Sequence, residues 1–218
     1  MQIDSLIKHM ISINNYNFKF AIPAIVVGVS NLKDGLIDVL PIVNSVNHLT
    51  WETTEHNTLY DIPVVLPSTT NSSICFPVNQ GDTVELILQS SDIIRFRDGN
   101  KEQHDPSQLG YNNLANCIAI VGFVPFQESC FNPNNYKNDF DNQDLNIVHN
   151  KNSGNEANIV IKSDGSINIL SNNKVDINGV IITADGDIHV DGKSLRQFML
   201  SHTHIDSQGA STTPPQNT

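Results

Sequence analysis

The chain has 218 residues, is 39% apolar and only 16% charged, and carries a formal net charge of −11. Its densest cationic cluster is Arg95, Arg97 and Lys101, too sparse to neutralise a row of phosphates, which disfavours nucleic acid as a partner and adsorption to an anionic membrane. Cys75, Cys117 and Cys130 are widely spaced with no CxxC, so they suggest reduced thiols of a protein assembled in a cytoplasm rather than a disulfide framework or zinc knuckle.

Residues 1–20 lack the basic start, apolar core and small-residue cleavage site of a signal peptide. Ile3, Leu6, Ile7, Met10 and Ile11 instead share one face of a short helix, which is expected to dock or pack. No stretch of the chain approaches the roughly 20 apolar residues of a membrane-spanning helix.

Residues 21–126 form a small antiparallel β-domain in this reading. Ala24 to Val29 and Leu36 to Val43 are strand-like runs on either side of a Lys33-Asp34-Gly35 turn. Asp61 to Leu66 and Ile74 to Phe76 are short strands with prolines at their margins. In Thr83 to Gln89, Val84, Leu86 and Leu88 share one face while Thr83, Glu85 and Gln89 share the other. A last apolar run, Cys117 to Val124, ends at Pro125. Five or six short strands in about a hundred residues fit a small closed barrel, an OB-fold first among them.

Residues 127–157 are polar and rich in Asn, a residue that suits turns and competes with helical hydrogen bonding. They are expected to form a linker or an extended wrap. Residues 158–194 carry a repeat. β-Branched pairs recur at i and i+2: Ile159/Ile161, Ile167/Ile169, Val175/Ile177, Val180/Ile182 and Ile188/Val190. Between them lie Asp164-Gly165, Asn172-Asn173, Asn178-Gly179, Asp185-Gly186 and Asp191-Gly192, all turn signals. The period is about seven residues, which suits strand-turn-strand units and not the strict six-residue period of a hexapeptide acyltransferase.

Each such strand offers two apolar side chains on one face, and a single ribbon would leave that face wet and its edges unpaired. Fewer than fifty residues make a poor free-standing solenoid. Three ribbons wound round a shared axis bury every apolar face under closed symmetry, so an intertwined trimeric triple-stranded β-helix is expected. The alternative is a hairpin meander packed on the barrel.

Residues 195–218 contain Ser201-His202-Thr203-His204, and Leu195, Phe198 and Met199 just before them fall at helical spacing. In an extended segment, His202 and His204 point the same way. Two imidazoles do not make a metal site, but three chains meeting on an axis would present six nitrogens. That set suits an octahedral ion, Fe²⁺ ahead of zinc, one per trimer. With every position filled by protein the ion would clamp chain ends, and acid would loosen it because ligation needs neutral imidazole.

These features resemble the central spike proteins at the tail tip of contractile-tailed bacteriophages. The resemblance rests on Asp61-Ile62-Pro63-Val64, Phe76-Pro77-Val78, Gly81-Asp82, Ser91-Asp92-Ile93, Asp98-Gly99 and Ile120-Val121-Gly122-Phe123-Val124-Pro125. At the other end it rests on His202-Thr203-His204 followed by Gly209 and Pro214-Pro215. One departure is Asn116-Cys117, where the family has an Asp-Ala pair. The resemblance implies an all-β protein: an N-terminal OB-fold docking on tail hub, baseplate or tube proteins, a triple-stranded β-helix shaft, and a needle apex holding iron through the two histidines. It also implies a homotrimer at the distal tip of the virion tail, assembled in the host cytoplasm, that pierces the host outer membrane mechanically and is not an enzyme.

Other readings use the same residues differently. The barrel could bind glycan or degrade cell wall, with Asp92, Asp98 and Asp105 as candidate carboxylates, although no GxSxG, HExxH, phosphate loop or Cys-His signature is present. A receptor-binding fibre would need aromatics near its tip, where only Phe198 follows Val190. The spike of a bacterial contractile injection system fits as well as that of a phage.

Overall fold

Alternation of inward and outward side chains organises the first part of the chain. The computed structural model describes residues 3, 20–47, 50–99, 101–107, 113–138, 140–205, 207–211 and 213. The chain divides into two units, 1–124 and 125–218. The helix expected in residues 1–20 lies outside the described residues, Ile3 and Phe20 apart.

In the first unit, β1 (Ala21–Gly28), β2 (Leu36–Pro41), β5 (Leu59–Val65), β6 (Thr83–Leu88) and β7 (Cys117–Val121) close a barrel in the order β1-β2-β5-β7-β6. The short pair β3 (Ser45–Val46) and β4 (Thr53–Thr54) forms a hairpin in the β2–β5 connection, and a one-turn helix α1 (Ile94–Arg97) sits in the β6–β7 connection. Neighbouring barrel strands are antiparallel except β5 and β7, which run parallel through Val64↔Ala119 and Val65↔Ile120. This connectivity is the one expected of an OB-fold barrel.

Its core is one cluster that includes Ile22, Ala24 and Val26 of β1, Ile37 and Val39 of β2, and Val84 and Leu86 of β6. Cys117 belongs to it, and burial pushes its thiol pKa up to about 11, with Arg97 pulling weakly the other way. Full burial of a Val, Leu or Ile side chain is worth about 1.5–3 kcal/mol, so the barrel has its own driving force. The strand expected at Ile74 to Phe76 does not form. Ile74 and Phe76 are both exposed and Pro77 follows directly, so no inward alternation supports a ladder.

A hydrogen-bonded seam explains the Asp61-Ile62-Pro63-Val64 motif. Asp61 has φ of 54°, a left-handed conformation unusual for a strand residue. Its backbone N–H donates to Asp38 Oδ1 at 3.1 Å, its carboxylate accepts from Asn31 Nδ2 at 2.7 Å, and its carbonyl accepts from Arg97 Nη2 at 3.1 Å. The strained residue is thereby held from three directions. Gly28 faces the same seam, because a Cβ there would meet Asp38 Oδ2 at 2.5 Å.

In the second unit, β8 (Leu145–His149), β9 (Ala157–Ile161) and β10 (Ile167–Ser171) form a three-stranded antiparallel sheet in the order β10-β9-β8. Next comes a four-stranded antiparallel sheet of β11 (Lys174–Ile177), β12 (Val180–Thr183), β13 (Ile188–Val190) and β14 (Lys193–Ser194). Helix α2 (Leu195–Ser201) closes the series. Every β-branched pair of the repeat lies in one strand, β9 to β13, and the turn signals fall between strands. Asn178-Gly179 and Asp191-Gly192 have positive φ at both residues, as two-residue hairpins with matching twist require.

Within one chain the repeat therefore folds as two hairpin meanders. The stretch expected to be a linker or an extended wrap, 127–157, contains β8 and the 3-10 turn Pro133–Asn135, and a second turn, Phe126–Glu128, overlaps its start. Its Asn-rich composition hid the Leu145/Ile147 alternation.

Candidate interaction face and histidine apex

Register decides which side chains gather. In the first sheet, Leu145, Ile161 and Ile167 stand in one cross-strand row, and Ile147, Ile159 and Ile169 in the next. In the second, Val175, Ile182 and Ile188 form one row, and Ile177, Val180 and Val190 the other. Each sheet thus presents six aliphatic side chains on one face. Eleven of the twelve are at least 36% exposed, Ile167 as much as 63%. Single exposed aliphatics are ordinary, but contiguous rows of this kind mark an interaction surface.

The other face of the first sheet is covered along β9 and open along β10, where Asn168 and Leu170 are exposed. Asn158 and Val160 of β9 are buried, and Glu156, at the entry to β9, anchors the covering segment. Its carboxylate is fully buried and accepts the backbone N–H groups of Lys137 and Asn138 at 2.9 Å each and of Asn152 at 2.6 Å. Burial alone would raise its pKa. Those three amides and the Asn158 side chain outweigh burial and hold the pKa below the ordinary carboxylate range. Tyr136 and Phe140 of the same segment stack in parallel, 4.2 Å between ring centroids.

The segment that carries the two histidines begins at α2. Ser194 caps its N-terminus by accepting from Gln197 N at 2.9 Å, a Ser-x-x-Gln capping pattern visible in the sequence. Ser194 Oγ donates in turn to Asp187, whose carboxylate also accepts from the N–H of Arg196 at 3.1 Å and lies 3.1 Å from His189 Nε2. These partners, Ser194 foremost, hold the Asp187 pKa below its usual range. Arg196 binds Asp185 Oδ2 at 2.9 Å and its carbonyl at 2.9 Å. The helix that leads to the two histidines is thus pinned to the Asp185-Gly186 turn.

His202 is the C-cap of α2, and its ring is stacked on Phe198 with centroids 5.1 Å apart. His204 meets it edge-on, also at 5.1 Å. The structure therefore brings the two predicted histidines together. His202 Nδ1 lies 3.1 Å from the carbonyl of Phe198 and 3.2 Å from that of Met199. As the Nδ1–H tautomer it donates there and leaves the Nε2 lone pair for a ligand. Among the described residues of one chain, no group of three or more His, Cys, Asp or Glu side chains could hold a metal ion. The imidazole pair suits a metal chemically but supplies two donors per chain.

The barrel carboxylates considered for acid/base work have structural duties. Asp92 accepts from Ile94 N at 3.0 Å and Ser107 N at 3.0 Å, and Asp98 is the C-cap of α1. Asp105 is exposed. Asn116, at the departure noted above, accepts from Ile93 N at 3.3 Å and donates to Ser91 O at 2.9 Å, so it ties the Ser91-Asp92-Ile93 loop to β7.

With this geometry in place, residues 22–122 match the family model described as the phage protein Gp138 N-terminal domain. The barrel is similar to a phage protein domain. The matched span covers the five barrel strands almost end to end, just under half of the chain, and leaves both sheets of the second unit outside it. No curated protein matches the chain. The Gp138-type match supports a phage structural role, consistent with a virion component. Asp61, Asn116 and Cys117 all lie within it. Among the described residues, no helix is long and apolar enough to cross a membrane.

Proposed function

We infer that the protein is the homotrimeric central spike of a contractile phage tail, docked by its barrel to hub or baseplate proteins and driven through the host outer membrane on contraction. The observation that carries this reading is the pair of uncovered aliphatic faces in the second unit. Side chains already half covered still gain roughly 1 kcal/mol each on full burial, so twelve of them supply on the order of 10 kcal/mol per chain toward association. Three copies wound about one axis, as a triple-stranded β-helix, cover all three sets with closed symmetry. The phage-domain match favours a phage tail over the equivalent spike of a bacterial injection system.

The apex fits the same symmetry. Two imidazoles per chain become six in a trimer, a donor set suited to octahedral Fe²⁺. Bound there, the ion would supply cross-linking rather than reaction chemistry. The protein's own contribution is to orient His202 through Phe198, Met199 and the capped helix. Light scattering for mass and elemental analysis for iron, made on the same purified sample, test both parts. Three chains with one iron support the spike, and a metal-free monomer overturns it. Replacing His202 and His204 together by Ala should remove the iron, and stoichiometric iron retained by that variant would refute the assignment.

A further inference from the structure

The partly covered face of the first sheet holds an open groove of about 300 Å³ that the spike reading does not use. It is walled by Phe140 and lined by Asp141, Asp144, Lys162 and Asn168, with Val160 among the apolar lining. We propose that this groove binds one pyranose ring of a saccharide.

Size is the first reason. The volume is at the lower end of small-ligand pockets and suits a single ring rather than a chain. Chemistry is the second. Two carboxylates, one ammonium and an amide together supply both donors and acceptors, as a polyhydroxyl ligand requires. The carboxylates disfavour a phosphate, and Lys162 disfavours a divalent cation. Phe140 supplies an apolar wall for the C–H face of a sugar ring.

Rigidity is the third. Phe140 is backed by Tyr136, whose hydroxyl donates to Cys130 O at 2.8 Å. Asp144 Oδ1 accepts from Ser163 N and Asp141 Oδ1 from Gln143 N, both at 2.9 Å. Each carboxylate is oriented through one oxygen, which leaves the other for a ligand.

The neighbouring row of the sheet supports the wall of the groove from behind. Asn146 pairs with Val160, and Val160 with Asn168, so the three stand side by side on this face. Asn146 donates to the carbonyls of Asp141 at 2.8 Å and Asp144 at 2.9 Å. Its Oδ1 is the buried side-chain oxygen, among the described residues, that lacks a hydrogen-bond partner. Asn146 does not itself line the groove; its amide fixes the backbone that carries Asp141 and Asp144.

The groove also lies on the face opposite the aliphatic rows, because residues 144, 146, 160, 162 and 168 alternate with 145, 147, 159, 161 and 167 along their strands. Association through the aliphatic face therefore leaves it open. A trimer would carry three such sites, whose weak individual affinities combine on a glycan-coated surface.

The test is saturation-transfer NMR on the full chain with free hexoses, N-acetylhexosamines and hexuronates at millimolar concentration, with calcium and inorganic phosphate as separate probes. At least one sugar should bind. Asp144→Asn and Asn168→Ala should each weaken it about tenfold or more, and exposed Asn168→Ala should leave the thermal melt unchanged. Binding by no sugar, or sugar binding indifferent to both variants, overturns the proposal. So does tight binding of calcium or phosphate that no sugar displaces.

Discussion

Replacing Glu156 by Gln keeps the shape of the side chain but removes the charge that three backbone amides converge on. Two of them, Lys137 N and Asn152 N, meet Oε2, and Asn138 N meets Oε1. The better orientation of the Gln amide keeps its oxygen toward the first two and turns its NH₂ toward Asn138 N, where donor faces donor. One bond is lost outright and two fall from charge-assisted to neutral, so the cost is about 2–4 kcal/mol. This is a large fraction of the stability of an ordinary domain. The loss should appear locally, as roughly 30- to several-hundred-fold faster hydrogen exchange at Lys137, Asn138 and Asn152 when exchange follows opening of the segment.

The pH dependence carries a sign. Because the folded carboxyl titrates below its ordinary value of 4.5, its stabilisation is complete above that value and fades as pH falls through the folded pKa. Wild type and E156Q should therefore differ at neutral pH and converge in acid. Equal exchange rates at neutral pH, or a difference that persists unchanged in acid, would refute the reasoning.

Asp61→Ala should lower barrel stability by about 1–2 kcal/mol, since Ala at φ of 54° keeps the strain and loses the Asn31 bond. Asp61→Gly should recover part of that loss because Gly accepts this conformation freely; thermal melts compare the two. Asp187→Asn should fray α2, seen as faster amide exchange at Arg196 and Gln197. Asp187 has a lowered folded pKa, so its contribution is present above the unfolded pKa and lost as pH falls, and the two proteins should converge in acid. Ile159→Asp places a charge in the middle of one aliphatic row and should shift the mass by light scattering from three chains to one, with the barrel still folded by circular dichroism.

Local pattern carried most of the strand assignments, because the period-2 alternation of Val84, Leu86 and Leu88 and the aliphatic pairs of the repeat are properties of neighbouring residues. The same holds for the turns, where Asn-Gly and Asp-Gly supply the left-handed backbone that two-residue hairpins need. The Ser194 cap went unread, and the helix it starts was anticipated only through the spacing of Leu195, Phe198 and Met199. The strand Leu145–His149 was not, because five residues in an Asn-rich stretch give too short a period to stand out from their surroundings.

What only the tertiary structure decided are the contacts between residues far apart in sequence. The parallel closure of β5 on β7 joins Val64 to Ala119, the seam joins Asn31, Asp38, Asp61 and Arg97, and Glu156 reaches back 19 residues to Lys137. A carboxylate in a polar stretch looks the same in sequence whether it is solvated or buried under three amides. The alternation named which side chains share a face; the antiparallel register then aligned them into rows, and the covering segment left one face of the first sheet open and built a groove on the other. Alternation is local chemistry, whereas burial depends on which distant segment arrives to cover a face.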